Sequence, residues 1–249
     1  MIYHRKTFFD AIRPLFGKLR SDQVAGMTAM LDVWEALYGH FDMETLAYCL
    51  ATSFHETGRA MQPVRETFAP NDASAISRLD AAFARGRMAY VKRPYWRRDA
   101  NGRSWFGRGH VQLTHADNYR TAAARLGKPL DSRPELALNP EISARILYSG
   151  CIDGWFTAHK LTDFINRNGT DFYNARKVVN PDDKRTYRLI EGYACQFQDA
   201  LAAAQRTSQQ PEPKIATRAS KAVGYMIVVV GGLVAALSVS WLAVLTASI

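Results

Sequence analysis

Apolar residues recur at helical spacing over most of the chain, and one stretch shows the pattern most fully. In "DMETLAYCLATSFHETG", Asp42 is a suitable N-cap and Gly58 a suitable helix stop. Between them an apolar side chain stands at every third or fourth position, at Leu46, Ala47, Leu50 and Phe54. This spacing lines one face of a helix with apolar groups. The stretch is therefore predicted to be a core helix with His55 and Glu56 in its last turn.

Three further stretches carry helix signals. In "THADNYRTAAARLG", Thr114 and Asp117 stand at capping-box spacing, and in "NPEISARILYSGCIDGWF", Asn139 precedes Pro140 at the first turn. The third, "YRLIEGYACQFQDALAAAQ", is amphipathic at helical spacing. Alternating patterns typical of strands are scarce, and "WFGRGHVQLT" is the best candidate for a short extended or hairpin segment. The patterns predict a mainly α domain with a small irregular or β lobe.

The C-terminal part of the chain has a different pattern. Residues 206–221 are polar and contain Pro-Glu-Pro, which is typical of a linker, so residues 1–205 are predicted to form one domain. Residues 222–249 contain no charged side chain. About 20 apolar residues in a helix span a bilayer core. The sequence therefore predicts a mainly α fold with a C-terminal transmembrane helix at 222–249.

The charges beside this segment predict its orientation. Lys214, Arg218 and Lys221 precede it and no charged residue follows. By the positive-inside rule, the domain at 1–205 is then cytoplasmic and the chain is membrane-anchored. Gly232 and Ala236 stand four positions apart, a spacing of small residues that suggests self-association of such helices.

Composition narrows the choice of partners without deciding it. The chain has 249 residues, 47% of them hydrophobic and 22% charged, with a net charge of +9. Such a balance fits a globular protein with an acidic partner: nucleic acid, anionic lipid or a bacterial wall polymer. A basic cluster runs from "YVKRPYWRRD" to Arg103. It contains aromatic residues, a combination that nucleic-acid-binding sites also show. No DNA- or RNA-binding motif accompanies it, so a nucleic-acid partner is not expected.

Cysteines and the N-terminus exclude other classes. The cysteines are three, Cys49, Cys151 and Cys195, and none stands at CxxC spacing. This argues against a disulfide framework and a zinc site. The first residues lack the apolar run of a secretory signal peptide. "HET" also fails as the start of a zinc-protease HExxH motif, because Arg59 stands where the second histidine belongs.

Two glutamates are candidates for acid–base chemistry. The dipole at the C-terminal end of a helix disfavours negative charge, so Glu56 beside apolar groups is expected to have a raised pKa, as a general acid requires. Gly58 and Pro63 break the helix, and Glu66 can then face Glu56 across a gap, as in inverting glycosidases. Arg65 would help to keep Glu66 ionised. The alternatives are a solvated last-turn glutamate and a surface Arg–Glu pair.

The segment around "WFGRGHVQLTHADNY" offers sugar-binding groups. Gly107 and Gly109 flank Arg108, which permits close approach of the backbone to a ligand. Amide and hydroxyl groups follow, at Gln112, Thr114 and Asn118. Aromatic residues that could stack on sugar rings precede them, at Tyr95, Trp96, Trp105 and Phe106. The alternative for these aromatics is a place in the core.

Taken in order, "FHETGRAMQPVRE", "WFGRGHVQLTHADNY" and "ARKVVN" resemble glycoside hydrolase family 19, in its chitinase-like and phage endolysin branch. The resemblance covers roughly residues 46–200. It implies an α-rich, two-lobed, lysozyme-like fold, with Glu56 as general acid and Glu66 as general base. It also implies that Gln112, Thr114 and Asn118 position the water and the sugar. The predicted substrate-binding residues are these three together with His55, Trp105, Arg108 and Asn180.

The resemblance implies hydrolysis of β-1,4 linkages in N-acetylhexosamine polymers without a metal or an organic cofactor. Peptidoglycan is favoured as substrate, because the chain is basic and carries the apolar C-terminal segment instead of a chitin-binding module. Two alternatives remain open. One is a chitinase that acts on chitin oligomers, and the other is a non-catalytic, membrane-anchored module that binds the wall.

Overall fold

The structure is a computed structural model that describes residues 2–181 and 183–209. Within these residues the chain forms helices joined by turns and two very small sheets. The α-helices are α1 (Arg5–Phe16), α2 (Ser21–Leu37), α3 (Met43–Glu56), α4 (Asp72–Ala84), α5 (Ala116–Leu126), α6 (Pro140–Asp153), α7 (Phe172–Ala175) and α8 (Lys184–Gln209). The strands are β1 (Val64–Arg65), β2 (Arg108–Gly109), β3 (Ile165–Asn166) and β4 (Gly169–Thr170).

Helix α3 lies at the centre of the main core. Every residue from Thr45 to Phe54 is buried, so this helix is covered on all sides and not on one stripe alone. It packs most extensively against α8, which also packs against α1. The ring of Phe54 joins the three helices, because it meets Tyr193 of α8 at 4.7 Å and Phe16 of α1 at 5.0 Å, both edge to face. The core helix expected from the sequence is confirmed.

Helix ends follow the predicted signals in part. Asn139 caps α6 by accepting a hydrogen bond from the Ile142 backbone N–H at 3.1 Å, and Gly127 ends α5 in the left-handed conformation. The expected capping box at Thr114 does not form. His115 occupies the N-cap position of α5 without a side-chain capping hydrogen bond. The Thr114 hydroxyl donates instead to the Gln112 carbonyl at 2.7 Å.

A smaller lobe surrounds the two short strands of the first sheet. β1 and β2 are antiparallel, with Val64 opposite Gly109 and Arg65 opposite Arg108. A second apolar cluster supports this lobe apart from the main core, formed by Ala69, Ala75, Leu79, Met88, Trp96 and Phe106. After β2 the chain turns back, since Arg108 also forms a bridge with Leu113. The hairpin predicted in "WFGRGHVQLT" is therefore present.

The structure corrects the membrane predictions. Among residues 2–181 and 183–209, no helix combines the length and the apolar character that a bilayer span requires. The longest helix of this part, α8, carries charged residues such as Arg188 and Glu191 along its length. A fold class with a transmembrane helix, a membrane-anchored localisation with a cytoplasmic domain, and self-association through that helix are thus not supported. The segment on which they rested, 222–249, lies outside the described residues.

The predicted domain boundaries remain predictions. Helix α8 continues to Gln209, four residues beyond the domain end predicted at 205. The rest of the predicted linker, from residue 210 to 221, also lies outside the described part of the chain.

Candidate active site

A cavity of about 430 Å³ brings together residues from four separate parts of the chain. Five of its lining residues are predicted site residues: Glu56, Gln112, Thr114, Asn118 and Asn180. The others are Val111, Leu113, His115, Phe156, Thr157, Val179 and Pro181. Glu56 comes from the last turn of α3, and the segment from 111 to 118 joins β2 to the first turn of α5. The cavity is therefore lined by Glu56 and by the amide and hydroxyl groups that the sequence suggested.

Glu56 is held by a buried arginine. The Arg176 Nη1 donates to Glu56 Oε1 at 2.7 Å, and the exposed fractions of the two side chains are 2% and 18%. Arg176 belongs to "ARKVVN", in the helical turn after α7. The surroundings of Glu56 thus differ from the apolar environment expected from the sequence, because they include a full positive charge at hydrogen-bond distance.

Glu66 follows β1 and is oriented through both of its oxygens. The Tyr95 hydroxyl donates to Oε1 at 2.9 Å, and the Gly107 backbone N–H donates to Oε2 at 2.8 Å. Burial and the nearby Glu66 charge raise the pKa of Tyr95, so its hydroxyl remains a proton donor. Arg65, expected to support Glu66, instead pairs with Asp72 at 2.7 Å.

Glu66 does not line the cavity, but Gly107 connects it to the cavity wall. A Cβ atom at Gly107 would lie 2.9 Å from Gln112 Oε1 and 3.2 Å from Thr114 Oγ1, two atoms of cavity-lining side chains. The same glycine makes two hydrogen bonds with Glu66: its carbonyl accepts from the Glu66 backbone N–H at 2.7 Å, and its own N–H donates to the Glu66 side chain. Glu66 is thus one residue away from the polar wall of the cavity.

The polar wall is built so that it presents oxygen acceptors. Both amide protons of Gln112 are engaged by backbone carbonyls, of Val64 at 2.9 Å and of Gly109 at 3.0 Å. The Thr114 hydroxyl proton is used on the Gln112 carbonyl, and Asn118 Nδ2 donates to the Thr114 carbonyl at 2.8 Å. With the donors of Gln112 and Thr114 occupied, their side-chain oxygens can accept hydrogen bonds from water or from sugar hydroxyl and amide groups. Gln112 has φ +52°, a backbone conformation that favours glycine and that is found at functional sites.

Three of the predicted substrate-binding residues do not line the cavity. The Arg108 side chain is fully buried, where it pairs with Asp72 at 2.8 Å and donates to the Tyr119 hydroxyl at 3.1 Å. Trp105 is 9% exposed and packs edge to face on Tyr119 at 5.3 Å, within the main core. His55 is half-buried in the last turn of α3 but does not line the cavity. Two of the three therefore support the fold around the site.

Arg108 also joins the two lobes. Burial alone would raise the pKa of Asp72, but the hydrogen bonds from Arg65 and Arg108 outweigh it and hold that pKa below its usual value. Asp72 opens α4 of the small lobe, whereas Tyr119 belongs to α5 and to the main core. Arg108, which stands between the two glycines, therefore has one partner in each lobe.

Sequence reasoning did not identify several residues of the site. Arg176 lies in the motif "ARKVVN", 120 positions from Glu56, and nothing in that motif shows that the two side chains form a pair. Phe156 lies against Gly150 of α6, where a Cβ atom would overlap its ring. His115 occupies the N-cap position of α5 with φ +71° and contacts Tyr95 edge to face at 4.6 Å. The positive φ of this histidine, directly before a helix, marks an unusual position. It is visible in the backbone but not in the sequence pattern.

Metal chemistry finds no ligand cluster here. Within the part of the chain that the structure describes, no group of three or more His, Cys, Asp or Glu side chains could hold a metal ion.

No protein-family model matches the chain, and no curated protein matches it either. Solved structures do. The crystal structure of chitinase C from Streptomyces griseus HUT6037 has a TM-score of 0.52 and 18% sequence identity, over 78% of this chain and 75% of that chain. A mutant of chitinase C gives a TM-score of 0.51 at 17% identity, over the same shares of the two chains.

A bacterial family 19 chitinase is a weaker match, with a TM-score of 0.47 at 18% identity, over 82% of this chain and 95% of that chain. At such identities the likeness to chitinase C shows the fold alone. The mostly helical, lysozyme-like fold implied by the family 19 motifs is therefore confirmed.

Proposed function

We propose that this protein is an inverting glycosidase that hydrolyses β-1,4 linkages of N-acetylhexosamine polymers, with peptidoglycan as its substrate. One observation carries the proposal: Glu56 lines a cavity of about 430 Å³ together with neutral amide and hydroxyl side chains, those of Gln112, Thr114, Asn118, Thr157 and Asn180. Sugar hydrolysis by an inverting mechanism uses such a carboxyl group as the acid and a second one as the base. The fold shared with chitinase C supports the same reaction class.

In this mechanism Glu56 protonates the glycosidic oxygen and the bond from that oxygen to the sugar carbon breaks. Arg176 binds Oε1, so Oε2 is the oxygen that delivers the proton. Once the proton has left, the guanidinium stabilises the resulting carboxylate, which favours the transfer. Arg176 is in this sense a positioning and charge-stabilising residue for Glu56.

Water attacks the opposite face of the sugar, and Glu66 accepts its proton. Inverting glycosidases keep the two carboxyl groups roughly 6.5–9.5 Å apart to leave room for this water. The water's second O–H would donate to the side-chain oxygen of Gln112 or Thr114, which aims its lone pair at the sugar carbon. Tyr95 and Gly107 hold Glu66 in a fixed orientation beside that wall.

Peptidoglycan is preferred on charge. The net charge of +9 favours a polymer that carries carboxylates over neutral chitin. The motif resemblance to phage endolysins points the same way, toward lysis of cell walls. Chitin oligomers are the second candidate, because the solved structures that resemble this chain are chitinases.

The test compares the full chain with Glu56→Gln on purified cell walls and on chitin oligomers. Turbidity loss and release of reducing ends are followed together. We expect Glu56→Gln to lower the rate by about 10²- to 10⁴-fold, the usual contribution of a general acid. Glu135→Gln, an exposed glutamate that does not line the cavity, should leave the rate unchanged.

Equal hydrolysis by wild type and Glu56→Gln would remove Glu56 from the mechanism. Binding to walls without release of reducing ends would instead favour a non-catalytic wall-binding module. The same assay with Glu66→Gln tests the base, and it should show a loss on the substrate that the wild type hydrolyses.

A further inference from the structure

A second cavity, of about 420 Å³, adjoins the site through a shared residue. It is lined by Tyr90, Val91, Lys92, Arg93, Tyr95 and His115. His115 also lines the first cavity, so the two cavities share this residue. A linear polymer bound at Glu56 could therefore continue past His115 into the second cavity.

The second cavity carries positive charge that the protein does not neutralise. Three other basic residues of this region are engaged internally: Arg97 pairs with Asp80 at 2.8 Å, Arg103 pairs with Asp99 at 3.3 Å, and Arg98 donates to the Gly102 carbonyl at 2.6 Å. Among the residues that the structure describes, no carboxylate pairs with Lys92 or Arg93, and both side chains are exposed. Three residues of the basic cluster therefore bind other groups of the protein, whereas Lys92 and Arg93 line the cavity.

The same cavity also contacts the group that orients the proposed base. Tyr95 lines it and donates its hydroxyl to Glu66 Oε1 at 2.9 Å. Tyr90 is 79% exposed at its edge and offers an aromatic face to a sugar ring. A ligand in this cavity would therefore lie beside Tyr95, and through it beside Glu66.

We propose that this second cavity is an anion subsite, in which Lys92 and Arg93 bind a carboxylate carried by the glycan at a position away from the cleaved bond. The ligand class is an amino-sugar polymer with carboxylate substituents, and the subsite would select it over an uncharged polymer with the same backbone. This inference rests on the proposed function, because it assumes that a glycan occupies the first cavity. Arg93 can bind a carboxylate through two N–H groups, whereas Lys92 contributes a point charge.

The test uses the full chain with Lys92→Gln and Arg93→Gln combined. The substrates are soluble peptidoglycan fragments and the same fragments with their carboxylates converted to methyl esters. For the free acid we expect KM to rise about 10-fold and kcat to change less than twofold, since exposed ion pairs contribute mainly to binding. For the ester, KM should stay within twofold of the wild-type value.

The matched control is Lys18→Gln with Arg188→Gln, which removes the same charge from two exposed residues that line neither cavity. It should leave KM for the free acid unchanged. If it raises KM as much as the Lys92 and Arg93 pair does, the net charge of the protein is responsible and the subsite is refuted. An equal rise for acid and ester would refute it as well.

A binding measurement separates this inference from the proposed function. Calorimetry in the Glu56→Gln background measures affinity without turnover. Weaker binding of the acid, but not of the ester, on loss of Lys92 and Arg93 supports the subsite even if the wild type hydrolyses nothing. Equal affinity with and without the two cations overturns it, and so does tighter binding of a single-stranded oligonucleotide than of the peptidoglycan fragment at this pair.

Discussion

At the scale of single residues, the contact between Arg176 and Glu56 has a testable energetic consequence. Removing one partner of a buried ion pair leaves the other charge without compensation, which costs about 3 kcal/mol or more. We therefore expect Arg176→Met to lower the free energy of unfolding by about 3 kcal/mol and to lower glycosidase activity. Arg176→Lys should restore only part of both, because an ammonium group cannot reproduce the planar guanidinium. Urea unfolding and wall lysis measure the two effects.

A double-mutant cycle shows whether Arg176 acts through Glu56. In the Glu56→Gln background there is no carboxylate to leave uncompensated, so Arg176→Met should cost less by at least about 1 kcal/mol. Additive costs would mean that Arg176 stabilises the fold through its other contacts. The pH profile of wall lysis by Arg176→Met provides a second readout. If Arg176 were purely structural, its loss would lower the rate without shifting that profile.

Single residues also show how much of the candidate site could be predicted from the sequence. Glu56, Gln112, Thr114 and Asn118 were predictable because the motif places them close together along the chain or next to a helix end. Arg108 was expected to bind a ligand because glycines flank it, yet those glycines serve packing. Gly109 has φ +90°, and a Cβ atom there would lie 2.7 Å from Ser143 Oγ. A pair such as Arg176 with Glu56 depends on tertiary contact and has no local signal.

At the scale of secondary structure, two glycines in helices provide a matched comparison. Gly150 of α6 faces the ring of Phe156, which lines the first cavity, and a Cβ atom there would overlap that ring. Gly150→Ala should push Phe156 into the cavity, raise KM and destabilise the protein by about 1–3 kcal/mol, the usual cost of overpacking. Substrate kinetics and urea unfolding measure both changes.

Gly192→Ala is the control. Gly192 is exposed in α8, and a Cβ atom there would have no neighbour within 4 Å. The substitution should stabilise the protein by up to about 1 kcal/mol, because alanine loses less backbone entropy in a helix. Its kinetics should match those of the wild type. Wild-type KM and stability in Gly150→Ala would show that Phe156 relocates without cost and does not shape the cavity.

Elements differ in how predictable they are. Long helices such as α3 and α8 could be predicted because ten or more residues repeat the apolar period. The strands β1 to β4 have two residues each, too short for any alternation to register. The full burial of α3 was also beyond the pattern, since a stripe at Leu46, Leu50 and Phe54 gives no sign that Tyr48 and Thr52 are covered by other helices.

At the scale of the whole molecule, the two lobes meet at side chains that are far apart in sequence. Arg108 reaches from β2 to Asp72 in the small lobe and to Tyr119 in the main core. The residue after Gly109 continues this connection, because the His110 backbone N–H donates to Ser143 Oγ of α6 and its Nδ1 lies 2.9 Å from Ser53 Oγ of α3. His110 is therefore buried among three elements that global unfolding must separate.

This position of His110 predicts how stability depends on pH. Burial lowers the pKa of His110 from 6.5 to about 3. Between these values the unfolded chain binds a proton that the folded protein does not, so this group's contribution is complete above about pH 6.5 and is lost as pH falls below it. The loss amounts to at most about 1.4 kcal/mol per pH unit.

His110→Asn does not titrate and keeps a polar group near Ser53, so its free energy of unfolding should vary less steeply with pH. Urea unfolding measures the two slopes at pH 7.0, 6.0 and 5.0, above the range where most carboxylates titrate. Parallel curves for the wild type and the variant would show that His110 is protonated in the folded protein or is exposed to water.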